Sequence, residues 1–268
     1  MNVEHRFREF LPEARRVVVK IGTRVIAQKT GRPDMRPLKS LVTQVAELHR
    51  KGYEVLMVSS GAVGAGVEAL GMKERPQTVP DLQMCAAVGQ ARLMSHYEEL
   101  FNTEKITIGQ VLLTHADFQH RIRFANAKRT MEHMIRHNVI PIINENDVVA
   151  DEEIKADLSL GDNDYLAALV VKLVRADLLI ILSTVDGVLD ASRKRVPCIE
   201  NLAEAFALVN PAQSGGLSKG GMGSKLRAAQ IAVKAGCGVV IACGRDKKVL
   251  LNVMSGNDTG TLILSSAL

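Results

Sequence analysis

Short runs of consecutive apolar residues alternate along the chain with stretches whose apolar positions recur every three or four residues. Val17-Val18-Val19-Lys20-Ile21-Gly22 is a β-branched run ending in glycine, the signature of a strand buried on both faces. Leu38, Leu41, Val42, Val45 and Leu48 then follow at helical spacing, and Gly52 marks that helix's end. Val55–Val58 predicts a second buried strand, followed by a small-residue helix from Ala62 to Leu70 and another marked by Leu82, Ala86, Leu93, Tyr97 and Leu100. Ile108–Leu113 reads as a strand, Phe124 to about His137 as a helix, and Val139–Ile143 as a strand ending at Asn144. The second half repeats the rhythm. A helical stripe (Leu166, Leu169, Val170, Leu173, Val174) precedes a strand at Leu178–Leu182, a helix from Met222 to Ala235, and strands at Val239–Ala242 and Thr261–Leu264.

Continuous rather than alternating apolar strands, separated by helices, predict an α/β fold: a three-layer α/β/α sandwich around a mainly parallel central sheet. With 268 residues, no Pro-, Ser- or Gly-rich separator and no repeat period, one domain accounts for the chain. Its 47% hydrophobic content excludes bulk disorder. The longest apolar runs are too short to span a bilayer, and Met1–Arg16 lacks a signal core. Cys85, Cys198, Cys237 and Cys243 form no C-x-x-C pair, which points to free thiols in a reducing, cytoplasmic setting rather than a disulfide or zinc framework. The net charge of +5 suits either an anionic small substrate or a polyanion. Aromatics at 3% leave no stacking platform for single-stranded nucleic acid.

Ligands of open α/β sheets bind beyond the carboxyl ends of the strands. Those ends here read Lys20-Ile21-Gly22-Thr23, Ser59-Ser60-Gly61-Ala62, Asn144-Glu145-Asn146-Asp147, Ser183-Thr184-Val185-Asp186-Gly187 and Cys243-Gly244-Arg245. Any one of them is also what an ordinary polar turn looks like; together they furnish one rim with the groups an active site needs. Lys20 can project into that rim as a phosphate-binding charge, and Gly22 can let a ligand approach the backbone. Ser60 is a candidate N-cap whose helix offers free N–H groups to an anion. Ser214–Lys225 carries five glycines and runs into a helix, so backbone amides and Lys225 can converge on phosphate. Its spacing is not that of a Walker P-loop, and no G-x-G-x-x-G follows the first strand. Asn144–Asp147 and Gly161-Asp162-Asn163-Asp164 mix carboxylates with amides, the combination that can hold both ends of an amino acid, although some of the latter group can serve only as helix caps. Neither an EF-hand nor a His/Cys metal cluster is present, so no protein metal site is predicted.

Taken together these segments resemble the amino-acid kinase family, from about Arg16 to Leu264. Val18–Thr23 and Ser59–Ala62 are similar to the family at large. Ala86–Gln90, Ile142–Asp147 and Gly161–Asp164 resemble its glutamate 5-kinase branch, and Gly220–Lys225 its nucleotide-side loop. The resemblance implies Mg²⁺- and ATP-dependent phosphorylation of the side-chain carboxylate of L-glutamate, the first step toward proline. It further implies an amino-acid half at about 16–150 and a nucleotide half at about 160–264. Lys20 and Lys225 would hold the transferring phosphoryl group, with Asp162 orienting both. Ser60, Gly61, Asn144, Asp147 and Asn163 would bind glutamate. ATP would be held by Lys20, Gly22, Ser183, Thr184, Lys219, Gly220, Gly221, Met222, Gly223, Ser224 and Lys225.

Two departures matter. Thr184 stands where many family members carry aspartate, and the chain ends about where the kinase domain does, as in a short form without the C-terminal PUA domain. The resemblance also implies proline as a feedback inhibitor, a homo-oligomer, functional coupling to glutamyl phosphate reductase, and neither nucleic-acid nor membrane partners. The loop Val148–Leu160 would close over substrate. The alternatives are a sibling kinase acting on another carboxylate or a carbamate, and a catalytically silent amino-acid sensor on the same fold.

Overall fold

The computed structural model describes residues 8–28, 33–150, 162–208 and 221–264, and of Asp162 the backbone alone. Among them eight strands form one sheet: β1 (Arg16–Ile21), β2 (Glu54–Val58), β3 (Ile108–Leu113), β4 (Ile140–Glu145), β5 (Leu178–Ser183), β6 (Cys198–Ile199), β7 (Gly238–Cys243) and β8 (Thr261–Ile263). Their spatial order is β3-β4-β2-β1-β5-β7-β8-β6. The described helices are α1 (Met35–Arg50), α2 (Ala62–Ala69), α3 (Val79–Thr103), α4 (His115–Gln119), α5 (Arg121–Arg136), α6 (Asp162–Val174), α7 (Leu202–Leu208), α8 (Met222–Lys234) and α9 (Val249–Met254).

Every strand pair is parallel except β7–β8, where Val239 faces Ile263 and Ile241 faces Thr261 in antiparallel register. Two-sided burial explains the apolar runs. Val17, Val19 and Ile21 point into a core shared with α1, α3 and α9, whereas Val18 points into a second core shared with α5, α6 and α8. The result is the three-layer sandwich that the pattern predicts. Strand β6 and helices α4, α7 and α9 are additions to that prediction, each too short to show a period.

Local chemistry sets the element ends. Asp34 caps α1 by accepting from the Arg36 N–H at 3.1 Å, and Gly52 leaves the helix at φ +90°, a left-handed turn that glycine adopts without strain. Thr78 caps α3, with Pro80 in the first turn. Helices α2 and α3 touch backbone to backbone. A Cβ on Gly66 would overlap the Cys85 carbonyl, and one on Gly89 would overlap the Ala62 carbonyl. No described helix is long and apolar enough to cross a membrane, and all four cysteines are free thiols.

Candidate active site

The chain leaves β1 for β2 on one side and reaches β5 on the other, so the sheet's connections diverge around β1. Such a switch point opens a crevice at the carboxyl ends of the strands. A cleft of about 500 Å³ lies there, lined by residues that include Lys20, Gly22, Asp164, Ser183, Thr184 and Lys225. A smaller cavity of about 110 Å³ adjoins it, lined by Gly61–Gly64 at the start of α2 together with Asn144, Glu145 and Asp147. Thr23, Ser60, Arg75 and Asn163 line both, which makes the two one continuous space with a waist.

The floor of the cleft is a buried ionic triad. Lys20, one residue before the end of β1, places Nζ 2.5 Å from Asp164 Oδ1, and Lys225, in the opening of α8, places Nζ 3.1 Å from Asp164 Oδ2. Asp164 is 1% exposed and each lysine 6%. Burial alone would raise the Asp164 carboxyl pKa. The adjacent charges of Lys20 and Lys225 outweigh it and hold the group below its ordinary value, so it stays an anion. Two ammonium groups on one carboxylate leave a net positive charge, held in place by structure, at the bottom of a polar cleft. The Ser224 hydroxyl shares its single proton between Asp164 Oδ2 (2.9 Å) and the Gly221 carbonyl (2.8 Å), tying the start of α8 to the same carboxylate.

The smaller cavity is backed by amides. Asn163 Nδ2 donates toward the Ser59 carbonyl (2.8 Å), the Ser60 hydroxyl (2.9 Å) and Asn144 Oδ1 (3.1 Å). Asn144 Nδ2 donates in turn to Gln90 Oε1 on α3 (2.8 Å). Behind these, the fully buried Tyr97 hydroxyl lies 2.8 Å from Ser59 Oγ, and burial pushes the phenol up to about 12. Asn163 Oδ1 is a buried acceptor that no described group satisfies, and Gln90 Nε2 a buried donor in the same condition. Buried polar atoms are rarely left so, and the Asn163 orphan, on the wall of both cavities, suits a polar ligand.

Several sequence expectations change. The carboxylate between the lysines belongs to Asp164; the side chain of Asp162, expected there, lies outside the described residues. Ser60 is not the N-cap of α2. Gly61 is, at φ +103°, and the Ser60 hydroxyl accepts from Asn163 instead. Gly22 lines the cleft, but the close approach it permits is to β5, since a Cβ there would sit 3.0 Å from the Leu182 carbonyl oxygen. Gly221, Met222 and Gly223 open α8 without lining the cleft, and Lys219 and Gly220 lie outside the described residues. So does Asp151–Leu160 of the expected closing loop; Val148 and Val149 are exposed. Arg245 turns from the rim to donate to the Arg24 carbonyl at 2.8 Å. Ser60, Gly61, Asn144, Asp147 and Asn163 all line the smaller cavity, and Ser183 and Thr184 the larger.

Arg75 was not singled out in the sequence, and Gln90 and Asp164 stood there only as members of the segments Ala86–Gln90 and Gly161–Asp164, with no role of their own. Only Asp164 left a usable signal, because it lies four and seven residues before Ala168 and Val171 on the most buried face of α6.

A profile of the amino acid kinase family matches residues 15–243. A glutamate 5-kinase of Citrifermentans bemidjiense is 43% identical over 263 residues, covering 96% of this chain and 69% of its own length. One of Clostridium acetobutylicum is 39% identical, covering 96% of this chain and 97% of its own. Among solved structures, carbamate kinase from Giardia lamblia bound to AMP-PNP shares the fold at a TM-score of 0.64 and 16% identity, over 94% of this chain and 99% of its own. N-acetylglutamate synthase from Neisseria gonorrhoeae, complexed with coenzyme A and L-arginine, does so at 0.68 and 14%, over 99% of this chain and 66% of its own. By the extent of the family match and by these relatives, the chain belongs to the amino acid kinase family.

Proposed function

We propose that this chain transfers the γ-phosphoryl group of ATP to the side-chain carboxylate of L-glutamate, giving L-glutamyl 5-phosphate on the route to proline. The observation that carries the reading is the Lys20–Asp164–Lys225 triad on the floor of a large polar cleft that adjoins a small amide-lined cavity. Phosphoryl transfer asks little covalent work of a protein. It needs in-line positioning and fixed cationic charge where negative charge spreads over the transferring group. A carboxylate acceptor is already ionised at neutral pH, so no general base is required.

In this reading the nucleotide occupies the larger cleft against Gly22, Ser183 and Thr184, in the half formed by about residues 160–264. Glutamate occupies the smaller cavity in the half formed by about 16–150. Its α-carboxylate faces the first-turn N–H groups of α2, its α-ammonium the carboxylates of Glu145 and Asp147, and its side chain runs past Ser60 and Asn163 to the waist. Both Asp164 oxygens are taken by lysines. Magnesium commonly binds through substrate phosphates and water, and in this reading it adds positive charge to the triphosphate. Feedback by proline, a homo-oligomeric assembly, a cytoplasmic location and hand-over of the acyl phosphate to a reductase complete the reading.

The test is ADP release with Mg²⁺, ATP and L-glutamate, with hydroxylamine trapping of the acyl phosphate, beside aspartate, N-acetylglutamate and carbamate. Turnover with glutamate well above the others is expected, with inhibition by proline. Equal or greater turnover with another acceptor refutes the assignment.

A further inference from the structure

The loop between α2 and α3 carries Arg75 to the waist of the site. Thr23, Ser60, Arg75 and Asn163 line both cavities, and Arg75 alone among them is a cation. Arg24, also exposed, lines the larger cleft only. The Arg75 guanidinium makes no hydrogen bond or ion pair with any described residue; its charge registers only as a field on the Cys85 thiol. Five donors therefore stand at the junction of the cavities without an acceptor.

The loop is not loose. It leaves α2 through Gly71 at φ +64° and enters α3 through the Thr78 cap. The two helices beneath it are locked by the Gly66–Cys85 and Gly89–Ala62 backbone contacts. Pro76 follows Arg75 and restricts its backbone to extended conformations. Such a mount presents a planar fork at the junction of the two cavities, and a guanidinium fork matches carboxylate and phosphate oxygens in pairs.

We propose that Arg75 is a third cation of the transfer step: it contacts the reacting side-chain carboxylate and the incoming phosphoryl group from the rim, opposite the lysine pair. This rests on the function proposed above. In that step a carboxylate oxygen lone pair forms the new O–P bond. The bond from phosphorus to the β–γ bridging oxygen breaks, its electron pair leaves with ADP, and no proton moves. Lys20 and Lys225 meet the phosphoryl oxygens from the floor. Arg75 holds the nucleophile against phosphorus and takes up charge on the remaining side as the bond forms.

The experiment compares wild type, Arg75→Ala and Arg75→Lys in steady-state assays varying glutamate and ATP separately, with thermal unfolding as the folding control. Because Arg75 is exposed and unpaired, the variants are expected to unfold within about 2 °C of wild type. Arg75→Ala is expected to lose about 10²- to 10³-fold in kcat, as when one transition-state donor is removed, with KM for ATP little changed. Arg75→Lys recovers part of the loss, and added guanidinium ion raises the rate of Arg75→Ala but not of wild type. Wild type active on glutamate with an Arg75→Ala kcat within about threefold of it overturns the Arg75 proposal alone. So does a rise in KM for glutamate at unchanged kcat, which is uniform ground-state binding. A wild type inactive on glutamate overturns the functional reading, and this one with it.

Discussion

Asp164→Asn removes one charge from the centre of the site and keeps the shape. In the wild type one carboxylate neutralises part of two ammonium charges at 2.5 and 3.1 Å, in surroundings that expose it by 1%. At an effective dielectric of about 20 each attraction is on the order of 5–7 kcal/mol. Desolvation of the three ions offsets most of it, so the intact triad adds little net stability. Deleting one partner of a buried pair is different, because the desolvated charges remain. About 3–5 kcal/mol is lost, which for a domain of this size lowers Tm by roughly 5–10 °C. The lysines, no longer bridged, repel each other and lose their fixed positions, and kcat falls by at least about 10²-fold.

The pH dependence has a fixed sign. The native Asp164 pKa lies below its ordinary 3.8, so its stabilising contribution is complete above about 3.8 and is lost as pH falls through the lower native value. The Tm difference between wild type and Asp164→Asn is accordingly full at pH 5–8 and narrows in acid. Calorimetry across that range, with ADP-release kinetics at pH 7, measures both effects. A variant with Tm within about 1 °C and kcat within about threefold of wild type refutes the claim that this carboxylate organises the lysines.

Other outcomes follow from the same geometry. Lys20→Ala or Lys225→Ala is expected to reduce kcat by orders of magnitude while glutamate binding, followed by calorimetric titration, largely survives; an unchanged rate in either contradicts the mechanism. Gln90→Leu leaves Asn144 Nδ2 without its 2.8 Å acceptor, and is expected to raise KM for glutamate about tenfold or more, at a stability cost of about 1–3 kcal/mol. Gly89→Ala forces a Cβ into the Ala62 carbonyl and is expected to cost about 3 kcal/mol or more, seen as a shift in urea midpoint at unchanged m-value.

How much of the site was legible depended on what kind of fact it was. Lys20 was legible only in company: alone it reads as a snorkelling surface lysine, but it closes an apolar strand on the rim where the other strand ends are polar too. The amide-rich ends of β4 and α6 were legible because residue types and turn positions are local. The lysine-bridging aspartate was not. The apolar stripe through Leu166, Leu169 and Leu173 extends back to Asp162, but Leu169 is only partly buried and the innermost face of α6 runs through Ala167, Ala168 and Val171. Small alanines let α6 sit close to its neighbours, and that rotation brings Asp164 to the lysines. Side chains two positions apart on a helix point to nearly opposite faces.

By itself the sequence determined the alternation of strand and helix, the burial of the central strands on both faces, and the rim that gathers the polar residues. These follow from periodicity and from where glycine, proline and capping residues stand. Tertiary structure decided which aspartate meets both lysines, that β8 runs antiparallel beside β7, that Gln90 supports Asn144 from a helix 54 residues away, and that Arg75 stands over the waist. Each of these is a meeting of distant segments. It depends on how helices rotate and how closely backbones approach, which is settled by packing complementarity across the whole domain rather than by the preferences of any one stretch of chain.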